Sequence, residues 1–408
     1  MKIRKIGKYC APFLALAMLA SPLANEAQAG PSIEFGDDGQ GILKIDYKAQ
    51  FQVVSRDTGS GETGDDATNT MGFRRNRLAF IGAWGDMYGI YVQTDYFENT
   101  AISTLGQNTT SYDPSDDYFS LIDAQIRIKF NDMAHLRVGK FKANLTRENL
   151  EDCYQPLTLD RSKFLAEPFV ISRDIGMSLW GNLVDNKVQY KIDLLEGKPA
   201  KQVSGNTGDT LGSNFRYSGR VHVSLLEPES GYGYRGTYLG TKKVLTIGAA
   251  MQHEDDLVYK NDNKDGAESY NAYTVDLFTE IPVPAVGTFT LSAAYADFDF
   301  GDRGLNSDNT LGNDAASNKG GERDGYYVKA GYMLPTLPLQ IFGRMETWTF
   351  AELNGIMDHE LNWMGVGANY YVRNQDVKVT LEYSTVQFDD RDTADDISTI
   401  VAQLQFMY

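Results

Sequence analysis

From Gly41 the chain reads GILKIDYKAQFQVV, and apolar and polar positions alternate through it. Leu43, Ile45, Tyr47, Ala49, Phe51 and Val53 fall on one side, and Lys44, Asp46, Lys48, Gln50 and Gln52 on the other. A period of two is that of a β-strand whose faces meet different surroundings. Alone, the stretch does not say which face points inward. The apolar face lines the core of a soluble sheet but meets lipid in a membrane barrel.

The alternation returns along the chain and predicts strands at 42–54, 73–84, 87–98, 118–130, 134–145, 173–181, 187–196 and 214–225. Further strands are predicted at 244–254, 269–281, 287–299, 324–333, 338–350, 361–373, 376–386 and 396–408. The sixteen segments run about 9 to 13 residues each, near the length a tilted strand needs to cross a bilayer. Short turns follow the even strands, as in GD at Gly85, NDM at Asn131, PVPAV at Pro282, PTLP at Pro335 and NQ at Asn374. Long polar connections follow odd strands, as at 55–71 and 301–323. Long loops on one rim and short turns on the other are the habit of outer-membrane barrels, and a soluble sandwich has no reason for it. One connection departs: EPESGYGYRGTYLGTKK from Glu227 is long where a short turn is due, marking an insertion or a misplaced boundary.

The chain ends STIVAQLQFMY, with Ile400, Ala402, Leu404, Phe406 and Tyr408 on one face. This reads as a closing strand with a terminal aromatic; the alternative is an edge strand of a soluble sheet. Many tyrosines (Tyr88, Tyr96, Tyr118, Tyr295, Tyr332, Tyr370) sit near strand ends, where interfacial aromatic girdles lie. The expected fold is all-β, a 16-stranded antiparallel transmembrane β-barrel.

Composition changes the picture first at the beginning of the chain. Lys2, Arg4, Lys5 and Lys8 precede the apolar APFLALAMLASPLA, and Ala27–Ala29 (AQA) supplies a small-x-small cleavage site. Residues 1–29 are therefore expected to be a cleaved secretory signal peptide, leaving 30–408 as one barrel domain. A short signal anchor is the alternative; Cys10 lies before the apolar run without a lipobox. Removing four basic residues and one acidic takes the net charge from −17 to −20, which argues against nucleic-acid binding. Cys153 then remains alone, so no intrachain disulfide is expected. No later apolar run reaches the length of a transmembrane helix. The chain is thus periplasmic, secreted or an outer-membrane barrel.

Several segments add up to a family resemblance. FRRNRLAFIGAWG (Phe73–Gly85), LRVGKFKANLTRENL (Leu136–Leu150) and SRDIGMSLWG (Ser172–Gly181) resemble the phosphate-selective porin O and P family. So do TVDLFTEIPV from Thr274, GYYVKAGYMLP from Gly325, LQIFGRMETW from Leu339 and VGANYYVRNQDVKVTLEYS from Val366, in the family's order. The resemblance implies a trimeric channel of the bacterial outer membrane, with the loop after the fifth strand folded into the pore. It also implies anion selectivity from a ladder of Arg and a ring of Lys near the constriction.

Placing the apolar face toward lipid fixes the lumen. The fourth strand then turns Ile122, Ala124, Ile126, Ile128 and Phe130 outward, and Asp123, Gln125, Arg127 and Lys129 inward. The eighth turns Tyr217, Gly219, Val221 and Val223 outward, and Arg216, Ser218, Arg220 and His222 inward. Arg75, Arg77, Arg137, Lys191, Lys329, Arg344 and Lys378 also face the lumen, opposed by Asp46, Asp95, Asp123, Asp193, Asp276, Glu346 and Glu382. The anion-binding candidates are Arg75, Arg77, Arg127, Lys129, Arg137, Arg216, Arg220 and Arg344, because a guanidinium stays charged and donates two parallel hydrogen bonds to an oxyanion. The alternative for each is membership of a salt-bridge lattice that braces the barrel.

The loop of residues 146–172 is the constriction candidate, with Arg147, Arg161 and Lys163 set against Glu148, Glu151, Asp152, Asp160 and Glu167. Cys153 within it reads as an ordinary small side chain. NDNKDG from Asn261 opens like a calcium loop but carries Ala272 at its twelfth position, where a Glu belongs. His135, His222, His253 and His359 show no metal-ligand or catalytic spacing, so no cofactor, metal or enzyme activity is expected. The expected function is a homotrimeric porin among outer-membrane lipid and lipopolysaccharide, passing small hydrophilic solutes with preference for inorganic anions such as phosphate. The alternatives are a general or cation-preferring porin, a structural sleeve around a partner protein, and a barrel enzyme.

Overall fold

Residues 30–36, 40–60, 66–97, 118–162, 172–197, 214–259, 266–301, 322–353, 356–388 and 397–408 are described by the computed structural model. The segment 1–29, Lys163, Glu167 and most of the NDNKDG stretch lie outside the described residues. The strands are β1 (Ser32–Phe35), β2 (Gly41–Ser60), β3 (Asp66–Trp84), β4 (Tyr88–Phe97), β5 (Tyr118–Asn131), β6 (Ala134–Lys142), β7 (Arg173–Leu183), β8 (Val188–Leu195) and β9 (Arg216–Ser224). They continue as β10 (Val244–Tyr259), β11 (Ala267–Val283), β12 (Gly287–Asp299), β13 (Glu322–Met333), β14 (Leu339–Leu353), β15 (Ile356–Arg373), β16 (Val377–Phe388) and β17 (Ile397–Met407).

From β2 to β17 each strand pairs antiparallel with the next, and β17 returns to β2 with Gln403 opposite Gln52. The sixteen strands therefore form a closed barrel with no free edge. Pairing of every backbone group is what hydrocarbon demands of a spanning chain. No helix among the described residues is long and apolar enough to cross a membrane. The terminal Tyr408 exchanges backbone hydrogen bonds with Tyr47 at 2.8 and 2.9 Å, pinning the chain end to the short-turn rim. The short β1, which the alternation does not reveal, adds to β2 at that rim.

Burial confirms the inverted faces. Lumen-side Gln50, Gln52, Arg220 and Glu382 are buried, whereas Val366 is 62 % exposed, Ile126 56 % and Tyr217 55 %. Gln50 donates to Gln405 and Gln52 to Gln403, each at 2.8 Å, so an amide ladder runs along the inner face of the closing seam. Tyr88, Tyr295 and Tyr370 stand exposed on the outer wall, as a girdle requires.

Three expectations change. Hairpin pairing of β2 and β3 continues to Ser60 opposite Asp66, so most of the loop expected at 55–71 is strand. Its Ser, Thr, Asn and Arg residues carry no apolar alternation because they lie beyond the hydrocarbon, yet their backbones still pair. Ile122, expected on the lipid side, is buried. A bulge lets Gln93 pair with Asp123 and Thr94 with Leu121, skipping Ile122, and one extra residue reverses the facing of its neighbours. Finally, the inner wall is not polar throughout. Trp348, Trp363, Phe298 and Tyr270, interleaved with Ala250, Ala272, Ala294 and Ala296, form a buried cluster inside β10–β16.

Candidate pore constriction

Past Lys142 the chain leaves the wall and turns into the lumen. The turn is anchored by Asn149, whose amide donates to the carbonyls of Ala143 at 2.7 Å and Ser172 at 3.0 Å. One helical turn, α1 (Arg147–Leu150), is capped by Thr146, whose hydroxyl accepts from the Asn149 amide at 3.0 Å. From there the loop reaches the wall at β2, β3 and β13–β17. Tyr154 donates to the Lys48 carbonyl at 3.0 Å, and Gln405 donates to the Tyr154 carbonyl at 2.9 Å. Asn369 donates to the Leu157 carbonyl at 2.9 Å, the Leu159 amide donates to Glu382 at 3.2 Å, and Ser162 donates to Glu346 at 2.6 Å. Glu148 pairs with Lys329, and Asp160 takes Arg74 at 3.0 Å and Arg75 at 2.7 Å.

A second segment comes from the opposite rim. The long connection between β9 and β10 folds inward, and its Glu229, Tyr232 and Tyr234 are buried. It meets the loop edge to edge: the Asp152 backbone amide donates to the Tyr234 carbonyl at 3.0 Å, the Tyr234 amide to the Leu150 carbonyl at 3.3 Å, and the Gly236 amide to the Gln155 carbonyl at 2.9 Å. Two inserts, one from each end, thus share a short backbone pairing inside the barrel. The only advance sign was the misplaced length of EPESGYGYRGTYLGTKK, whose alternate Tyr232 and Tyr234 supply the contacts.

The charges of the loop are set by these neighbours. Burial pushes the Glu151 carboxyl up, and although Arg147 at 3.4 Å opposes this, it titrates at about 7. Burial also works against ionisation of Asp152, but Lys48 and Lys142 outweigh it and hold the carboxyl at about 2. Cys153 is buried too, yet Arg161, Lys142, Arg75 and Arg77 surround it and hold the thiol well below its ordinary range. Among the described residues no group of His, Cys, Asp and Glu is arranged to hold a metal.

The arginines expected to bind anions divide into two sets. Arg77 pairs with Asp95 at 2.6 Å, Arg216 with Glu254 at 2.8 Å, Arg220 with Asp276 at 2.6 and 2.8 Å, and Arg344 with Glu346. With Arg75 on Asp160, five of the eight candidates are thus braced by carboxylates. Lys129 sits at the rim beside Asp132, and Arg161 donates to the Asn149 carbonyl at 3.2 Å. Among the described residues Arg127 and Arg137 are in no ion pair: Arg127 donates to Gln125 at 3.2 Å and lies over the Tyr91 ring, and Arg137 lies 3.6 Å over the Tyr232 ring. Arg74, Lys142 and Arg235 also face this interior, although the alternation did not single them out. A bulge between Gln50 and Phe51 passes over Arg74 and turns it toward Asp160.

Between the inserts and the wall of β4, β5 and β6 lies a cavity of about 670 Å³ near the short turn at Gly85. Eight Lys or Arg side chains line it against three Asp. Of those Asp, Asp123 is taken by Arg173 at 3.0 Å and Asp152 by Lys48 at 3.5 Å. This cavity is therefore positive although the chain is strongly acidic.

The family model described as phosphate-selective porin O and P matches residues 45–408. An uncharacterised protein of Aquifex aeolicus is 20 % identical over 394 residues, covering 90 % of this chain and 87 % of that one. The outer membrane channel DcaP of Acinetobacter baumannii superposes with a TM-score of 0.55 at 14 % identity, covering 93 % of this chain and all of its own. An anion-selective porin from Comamonas acidovorans does so with a TM-score of 0.56 at 11 % identity, over 90 % of this chain and all of its own.

Proposed function

This chain belongs to the phosphate-selective porin O and P family of the bacterial outer membrane, and from that premise we propose that its channel passes small hydrophilic solutes with preference for anions. The observation that carries the preference is the cavity at the constriction, where Lys48, Arg77, Lys129 and Arg173 are paired with carboxylates and Arg127, Arg137, Lys142 and Arg235 are in no ion pair among the described residues. Passing ions feel the local field of a low-dielectric channel more than net charge, so a positive chamber selects anions inside an acidic protein. Arg127 and Arg137 are the anion-contacting residues in this reading. Arg75, Arg77, Arg216, Arg220 and Arg344 chiefly brace the wall. The assembly is a homotrimer set among lipid and lipopolysaccharide, exported by its leading segment.

A second reading has support of its own. With most lumen arginines neutralised, the channel would be a general or cation-preferring porin. The reversal potential of the purified protein in a planar bilayer under a KCl gradient separates the two. Anion preference, with current reduced by added phosphate, is the expected result; cation preference without phosphate block would overturn it.

A further inference from the structure

Arg127 on β5 and Arg137 on β6 are direct cross-strand partners on the lumen face. Like charges set opposite one another destabilise a sheet, and among the described residues neither arginine is in an ion pair, Asp123 and Asp193 acting on them only from a distance. Arg137 is 9 % exposed, and its Nε has no hydrogen-bond partner. A buried charge without a counter-ion or acceptor is costly, so such a site is built for something that completes it. The rings beneath hold the guanidinium groups in place: Arg137 lies on Tyr232 and Arg127 on Tyr91. Stacking covers a face of the planar group and leaves its N–H edges free to grip an oxyanion.

Inorganic phosphate would satisfy the two cations but leave most of the chamber empty. A volume of about 670 Å³ is that of an organic-ligand site, which typically runs roughly 300 to 1,000 Å³. Part of its wall is aromatic. His135 stacks on Trp180 at 4.2 Å, and Trp180 meets Tyr232 edge to face at 5.5 Å, giving a continuous apolar strip that ends at Arg137. Tyr234 and Tyr154 face the same space.

We infer that this chamber binds small organic anions whose carboxylate or phosphate group bridges Arg127 and Arg137 while an attached ring lies against the Trp180–Tyr232 strip. The inference rests on the anion-preferring reading above and names the solute class of that site. The ring supplies affinity that inorganic anions lack, because its apolar area leaves water on binding.

The test uses the purified full chain in planar bilayers and compares probes that differ only in the ring. These are phenyl phosphate against inorganic phosphate, and benzoate against acetate. The expected result is half-block by at least one ring-bearing probe at a concentration about tenfold below its ringless counterpart, the better pair revealing the preferred head group. R127Q and R137Q, each first checked for heat-modifiable migration, should weaken that block about tenfold. If R137Q does not fold, R127Q alone decides the point. Equal block by ring-bearing and ringless probes in an anion-selective channel would overturn the inference and leave the anion reading standing. Ring-selective block that survives R127Q would move the site elsewhere and overturn it too. Cation selectivity of the wild-type channel would remove the reading beneath it.

Discussion

Arg147 on the inserted loop and Glu229 on the opposite insert are joined through both arms of the guanidinium, Nη1 to Oε2 at 2.6 Å and Nη2 to Oε1 at 2.8 Å. The pair is fully buried, and Glu229 also takes Tyr238 while His222 stands 3.3 Å away. Arg147 lies 3.9 Å over the Phe278 ring, and its backbone amide donates to Asp276, so the clamp ties both inserts to the wall.

Breaking one side of that clamp strands a buried charge. Removing one partner of such a pair costs about 3–5 kcal/mol. E229Q is therefore expected to lower the temperature at which the folded, fast-migrating gel band is lost. It should also enlarge the single-channel conductance as the two inserts part. An unchanged conductance would mean that the inserts stay joined through the Tyr234 backbone bonds alone.

Selectivity should follow the unpaired arginines, not their total number. R77Q/D95N removes a matched pair and leaves the local charge as it was. R127Q/R137Q removes two charges that are in no ion pair among the described residues. In a KCl gradient the first double variant should keep the wild-type reversal potential, and the second should shift toward cation preference. Equal shifts would show that paired and unpaired arginines contribute alike.

Why these two sets could not be told apart in the sequence is a matter of register and loops. The lumen face follows from alternation, so Arg77, Arg137 and Arg220 were all legible as inward. Pairing is not: Arg220 reaches Asp276 across β10 only because Gly248 leaves room, where a Cβ would collide with both side chains. Arg75 meets Asp160, 85 residues on, through a loop whose path no periodicity encodes. Bulges hid Arg74 and Ile122 for the same reason, since one inserted residue breaks the period without marking the sequence. The barrel itself was legible because sixteen alternations and the asymmetry of its rims repeat one constraint, a membrane with two different sides.

Glu151 gives the constriction a pH response. Its carboxyl, pushed up to about 7 by burial, takes a proton as the pH falls through that value, and the lumen loses a negative charge. Anion preference should therefore rise between about pH 8 and about pH 6, and E151Q should hold the low-pH value throughout. The sign for stability is the same. Because the folded value lies above the ordinary carboxyl value, this group's contribution is fully present below the ordinary value and is lost as pH rises through about 7. A reversal potential that is equally pH-dependent in E151Q would assign the titration to another group.

Cys153, read from the sequence as an ordinary small side chain, is buried among four basic groups. Its thiol lies in the wall of the positive chamber, and Arg161, Lys142, Arg75 and Arg77 hold it well below the ordinary thiol range although burial opposes them. The thiolate is the reactive form, so reaction with a methanethiosulfonate should be nearly independent of pH between about 6 and 8, where an ordinary thiol quickens steeply. The cations that ionise it also sort the reagents. A sulfonate-bearing methanethiosulfonate should modify the channel about tenfold faster than a trimethylammonium one, because the positive chamber concentrates anions. Modification should reduce the current, and C153S should abolish the effect without altering the reversal potential. Faster reaction of the cationic reagent would place a negative field at Cys153, and the charge map of the constriction would then have the wrong sign.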